Sequence, residues 1–131
     1  MRCYVLDTHA LLLVMFQRWA MTKLGRAIIE LGEDYVAELV VPTMALVEAL
    51  RVVGQYSRGK TTIPQFLEDI EATHYLRIEP LGMDQVRLLP QLEGIRELHD
   101  RIIAAHAVAA DALLITPDQQ IRDSGAVETA W

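Results

Sequence analysis

The chain has 131 residues, 52% of them hydrophobic, with 12 Lys and Arg against 18 Asp and Glu for a formal net charge of −6. That length supports one domain with one real core and leaves little room for a second. No apolar run approaches the ~18 residues of a membrane span, and no block of Lys or Arg supplies the basic footprint of a general nucleic-acid coat. A nuclease is not excluded, because bound cations can neutralise a local excess of acids.

Cys3 is the only cysteine, so no internal disulfide forms, and its apolar setting reads as a buried, inert thiol rather than a nucleophile. The N-terminus reaches Asp7 too early for a signal-peptide core, so a cytoplasmic protein is expected.

In chain order, residues 2–6 form a strand-like apolar run, and a helical pattern starts at Thr8. A second helix is expected over about residues 20–31, ending near Gly32. Residues 36–41 read as the next strand; Pro42 then opens a helix reaching about Ser57, with Gly59 closing it. Residues 61–73 form another helix, followed by a strand over 75–78 and a stop at Pro80. From Met83 to Ala110 the pattern is helical, interrupted near Pro90 and Gly94, and it ends in an alanine-rich helix able to lie close to a sheet. Residues 112–115 are continuously apolar, as in a strand buried on both faces. A helical turn over 119–123 and a strand over 127–131 complete the chain. Such alternation implies a three-layer α/β/α sandwich with a mostly parallel sheet.

In open parallel sheets, ligands bind beyond the carboxyl ends of the strands. Asp7 ends the first strand, Glu48 lies in the helix after the second, Asp100 stands near the start of the alanine-rich helix, and Asp118 follows the fourth strand. Folding can therefore bring four hard oxygen donors to one edge. With no Cys/His set at zinc spacing, the metals that suit such donors are Mg²⁺ or Mn²⁺. Each acid also has a plain structural reading. Asp7, Asp100 and Asp118 stand where helix caps are wanted, and Glu48 can pair with Arg51 on a solvated helix face. Thr116, two residues before Asp118, is either a turn hydroxyl or a group that orients water.

Thr8 and Arg101, beside the first and third acids, are candidate substrate contacts, although an ordinary ion pair serves Arg101 equally. His9 and His99 adjoin the same acids but read as surface or helix-end residues. His106 reads as structural, and His74 has no assigned role. Arg51, Arg58 and Lys60 form either a basic rim or a solvated face. Asp123 reads as a turn residue. Met15, Phe16 and Trp19 read as core or as the lining of a groove for a partner segment.

Taken together, four local sequences resemble the PIN-domain ribonucleases. They are Tyr4-Val5-Leu6-Asp7-Thr8-His9-Ala10-Leu11-Leu12, Pro42-Thr43-Met44-Ala45-Leu46-Val47-Glu48, Asp100-Arg101-Ile102-Ile103-Ala104-Ala105-His106-Ala107 and Leu113-Leu114-Ile115-Thr116-Pro117-Asp118. Their order and spacing fit the family over the whole chain. The resemblance implies a five-stranded sheet in the order 3-2-1-4-5 and Mg²⁺- or Mn²⁺-dependent cleavage of RNA. Asp7, Glu48, Asp100 and Asp118 would hold the metal, with Thr116 beside them and an activated water rather than a protein nucleophile. Within the family the chain looks most like the VapC-type toxins of type II toxin–antitoxin pairs, which implies a homodimer and a small antitoxin partner. Two rivals stand beside this reading. One is a small-molecule phosphohydrolase, against which the first strand offers no D-x-D motif. The other is a non-catalytic binding module of the same fold.

Overall fold

The computed structural model describes residues 1–131. Five parallel strands, β1 (Arg2–Leu6), β2 (Ala37–Pro42), β3 (Leu76–Glu79), β4 (Leu113–Ile115) and β5 (Thr129–Ala130), lie in the order β3-β2-β1-β4-β5. The expected order and parallel class are therefore both present. Strand β1 sits centrally, pairing Tyr4 with Leu39 on one side and with Leu113 on the other.

Eight helices cover the sheet: α1 (Thr8–Phe16), α2 (Lys23–Glu33), α3 (Thr43–Ala49), α4 (Val53–Tyr56), α5 (Ile63–Ala72), α6 (Met83–Leu88), α7 (Leu98–Ala109) and α8 (Gln119–Asp123). Side chains alternate between the faces of a strand, and right-handed crossovers divide the helices accordingly. Helices α1–α5 cover the face carrying Tyr4, Leu39 and Val41. Gly32 of α2 lies so close to that face that a Cβ there would stand 2.3 Å from Leu39 Cδ1, so only glycine allows the approach. Helices α6–α8 cover the other face, where His106 Nδ1 meets Glu79 Oε1. His106 is 1% exposed and so takes the structural place expected of it. Arg77 extends this polar line by donating to both Glu38 and Glu79.

Two helix boundaries differ from expectation. The second helix begins at Lys23, not near residue 20, because Arg18–Ala20 forms a 3₁₀ turn and Thr22 accepts the Gly25 N–H as the cap. The helix expected from Pro42 to Ser57 is two helices, since the chain leaves α3 after Ala49 and restarts at Val53. Both sheet faces are buried: Val5, Leu6, Val41, Leu114 and Ile115 are fully enclosed. This explains why β1, β2 and β4 read as continuous apolar runs.

Candidate active site

Where β1 gives way to α1, Asp7 is extended and caps the helix, its Oδ1 accepting the Ala10 N–H at 2.8 Å. Its own N–H donates to the Ile115 carbonyl at 3.1 Å, tying the residue to the end of β4. Asp118 caps α8 in the same manner, its Oδ1 accepting from Gln120 N (2.9 Å) and Ile121 N (3.2 Å). Both aspartates are therefore caps, and both also face one cleft. Capping and site formation do not compete here, because one oxygen of each carboxylate is enough for the cap.

Asp100 is different. The cap position of α7 belongs to Glu97, with no side-chain capping bond, and Asp100 lies three residues on, so the capping reading does not hold for it. Nor does Glu48 pair with Arg51. Its Oε1 accepts the Thr8 hydroxyl at 3.0 Å and its Oε2 meets His99 Nδ1 at 3.3 Å, so residues from α1 and α7 hold both carboxylate oxygens.

A cleft of about 220 Å³ collects Asp7, Glu48, Asp100 and Asp118 with Glu97, Thr8, His9, Arg51 and Val52. Five carboxylates thus face one guanidinium. Burial, then the charges of Glu97, Glu48, Asp118 and Asp7, push the Asp100 carboxyl up to about 7. Burial also pushes Asp7 up to about 6, opposed by hydrogen bonds from Thr116 and the Ala10 amide. No three acids converge on one point at ligand distance. The donor set is nonetheless hard oxygen throughout, and it concentrates more carboxylate than a neutral solution readily ionises. Both properties suit a divalent cation such as Mg²⁺ or Mn²⁺.

Several expected site residues take other places. Thr116 is fully buried beneath the cleft, accepting the Asp118 N–H at 3.0 Å, and positions Asp7 and Asp118 without lining the cleft wall. The Thr8 hydroxyl is committed to Glu48. Arg101 does not reach the cleft, because its guanidinium donates to the carbonyls of Ile95 and Arg96 and braces the loop before α7. Asp123 accepts from Gln119 at 2.6 Å, in the turn role expected of it. Of the basic trio, Arg51 reaches the cleft, whereas Arg58 and Lys60 line a neighbouring groove with Met15, Phe16 and Trp19. His9 and His99 are exposed residues in the first turns of α1 and α7, as expected, and both also touch the site: His9 lines the cleft with its Nδ1 2.9 Å from the Tyr56 hydroxyl, and His99 meets Glu48. Glu97 went unnoticed in the sequence, although its place one helical turn before Asp100 was a usable signal.

Three solved structures share this fold over nearly the whole chain. VapBC2 from Rickettsia felis, bound to a promoter DNA fragment, aligns with TM-score 0.72 and 18% identity, covering 98% of this chain and 97% of that one. DNA-bound VapBC from Salmonella typhimurium gives 0.68 and 15%, covering 99% and 98%. A toxin–antitoxin complex from Klebsiella pneumoniae gives 0.65 and 18%, covering 98% of each. At these identities the likeness is one of fold. Comparison with curated protein sequences gives no match. The sequence model of the PIN domain matches residues 4–126. That span takes in all four acid-bearing segments in order, from the first strand to the turn before the last, and the chain belongs to the PIN domain family.

Proposed function

We propose that this protein is a divalent-metal-dependent endoribonuclease acting in the cytoplasm as the toxin of a toxin–antitoxin pair. The observation that carries the reading is the gathering of Asp7, Glu48, Asp100 and Asp118 on one cleft at the carboxyl edge of the sheet. Asp7, Glu48, Asp100 and Asp118 would hold Mg²⁺ or Mn²⁺, which when bound supplies a Lewis acid, a water of lowered pKa and charge to offset the leaving oxygen. The protein's own contribution is placement. Backbone amides fix Asp7 and Asp118, while Thr8 and His99 fix Glu48, so the donors are set before substrate arrives. Arg51 is the one guanidinium on the cleft and can meet a phosphate oxygen. The cleft presents no cysteine, serine or lysine, its Thr8 hydroxyl donates to Glu48 and its His9 meets Tyr56, which favours attack by water over a covalent protein intermediate. The toxin role rests on the toxin–antitoxin complexes among the structural neighbours, from which a small antitoxin partner is also inferred.

Purified protein is expected to cut single-stranded RNA in Mg²⁺ or Mn²⁺, to stop in EDTA, and to leave nitrophenyl phosphate intact. Cleavage surviving exhaustive chelation would refute the metal requirement. Hydrolysis of the small ester without RNA cleavage would favour the phosphohydrolase.

The reading includes a homodimer, supported by exposed apolar side chains such as Val47, Met83 and Leu98. Light scattering is expected to give twice the 14.8 kDa chain mass at micromolar concentration, and a monomer mass would remove the dimer from the account.

A further inference from the structure

The acidic cleft has Val52 as its one apolar wall and a volume of about 220 Å³. That space accepts a phosphate and cations, and the His9 imidazole is its only ring. Next to it lies a groove of about 480 Å³, walled by Met15, Phe16, Trp19 and Tyr56 and flanked by Arg58 and Lys60. The two spaces meet at the pair formed by His9, which lines the cleft, and Tyr56, which lines the groove.

Trp19 is 69% exposed, an unusual state for the largest aromatic side chain. Phe16, also on the groove wall, packs on the buried Phe66 with ring centroids 5.7 Å apart, so that wall is anchored in the core. Arg58 and Lys60 make no ion pair. They project from a tight turn in which Arg58 is left-handed (φ 56°), followed by left-handed Gly59, with the Lys60 N–H donating to Ser57. A left-handed arginine is uncommon and needs surrounding structure to hold it. Asp69, on the groove wall, is engaged by Gln65 Nε2 at 2.9 Å.

We propose that this groove is the strand-binding subsite of the nuclease, where a base of single-stranded RNA stacks on Trp19 and adjoining phosphates meet Arg58 and Lys60. The proposal rests on the ribonuclease reading and gives it a substrate grip. An acidic chain must hold a polyanion through a local patch, and aromatic rings beside free cations are how single strands are held without sequence preference. Free cations at the rim match the phosphates of such a strand.

The test uses hexauridylate in EDTA, so that no strand is cut. Its affinity is read by anisotropy, and stacking by quenching of Trp19 in a Trp131→Phe chain. Binding is expected with quenching, and Trp19→Ala is expected to weaken it roughly five- to hundredfold, the range for loss of one base stack. Arg58→Ala with Lys60→Ala should flatten the dependence of log K on log salt by about 1.4, two single-strand phosphate contacts. Arg2→Ala, at the opposite end of β1, should leave both readings unchanged. RNA bound without quenching and with unchanged affinity in Trp19→Ala would overturn the groove and leave the nuclease reading intact. So would Trp19→Ala turning a dimer into a monomer at unchanged RNA affinity, which would make the groove a protein interface. A chain that neither binds RNA nor cleaves it in Mn²⁺ would overturn the ribonuclease reading itself.

Discussion

Asp100→Asn and Asp118→Asn are each expected to abolish RNA cleavage while leaving the metal-free protein folded. Asparagine caps a helix about as well as aspartate, so Asp118→Asn keeps an oxygen for the Gln120 and Ile121 amides. Asp100 caps nothing and sits among four other acids. Its carboxyl is raised to about 7, first by burial and then by Glu97, Glu48, Asp118 and Asp7, so the folded chain holds a proton that the unfolded chain releases near pH 4. The stability of the metal-free protein must then fall as pH rises from about 4 to 7, and the full penalty remains above 7. Asp100→Asn removes that penalty, and at pH 8 should stabilise the metal-free chain by about 1 kcal/mol once screening of a half-exposed group is allowed for. Wild type should gain about 2.7 kcal/mol at a Mn²⁺ concentration a hundred times its dissociation constant, a melting shift of several degrees. Each variant should lose most of that shift. Variants that melt like wild type at every Mn²⁺ concentration and still cut RNA would reduce these aspartates to structural residues.

A second large effect is expected in the pH dependence of metal affinity. The carboxyls of Asp7, raised to about 6 chiefly by burial, and Asp100, raised to about 7, carry protons that a cation must displace. Affinity should therefore climb about hundredfold per pH unit below 6, about tenfold between 6 and 7, and level off above 7. Calorimetric titration of Mn²⁺ at a series of pH values reads this directly. A flat profile from pH 5 to 8 would mean that neither aspartate takes part in binding.

The strands were legible because their environment writes itself into the chain. Val5-Leu6, Leu39-Val40-Val41 and Leu114-Ile115 are covered on both faces, so no polar alternation interrupts them. The break between α3 and α4 was not legible, because Leu50-Arg51-Val52 holds neither glycine nor proline and the chain turns there for reasons of packing. The acids themselves could be picked out, since a parallel sheet presents them at strand ends. Their supports could not. Thr8 and His99 reach Glu48 across 40 and 51 residues of sequence, and nothing local to either residue announces such a contact. Arg101 misled for the converse reason. Adjacency to Asp100 in sequence says nothing about direction, and on a helix consecutive side chains diverge by about a quarter turn or more, here toward the carbonyls of Ile95 and Arg96.

The central claim is that Asp7, Glu48, Asp100 and Asp118 form one divalent-metal site. Anomalous diffraction from crystals soaked in Mn²⁺ tests it most directly. The account predicts a manganese peak inside the cleft, with oxygens of at least Asp7 and one of Asp100 or Asp118 at about 2.1 Å, as hard-cation coordination requires. Crystals that take up Mn²⁺ only elsewhere on the surface, with the cleft free of anomalous density at millimolar metal, would contradict it.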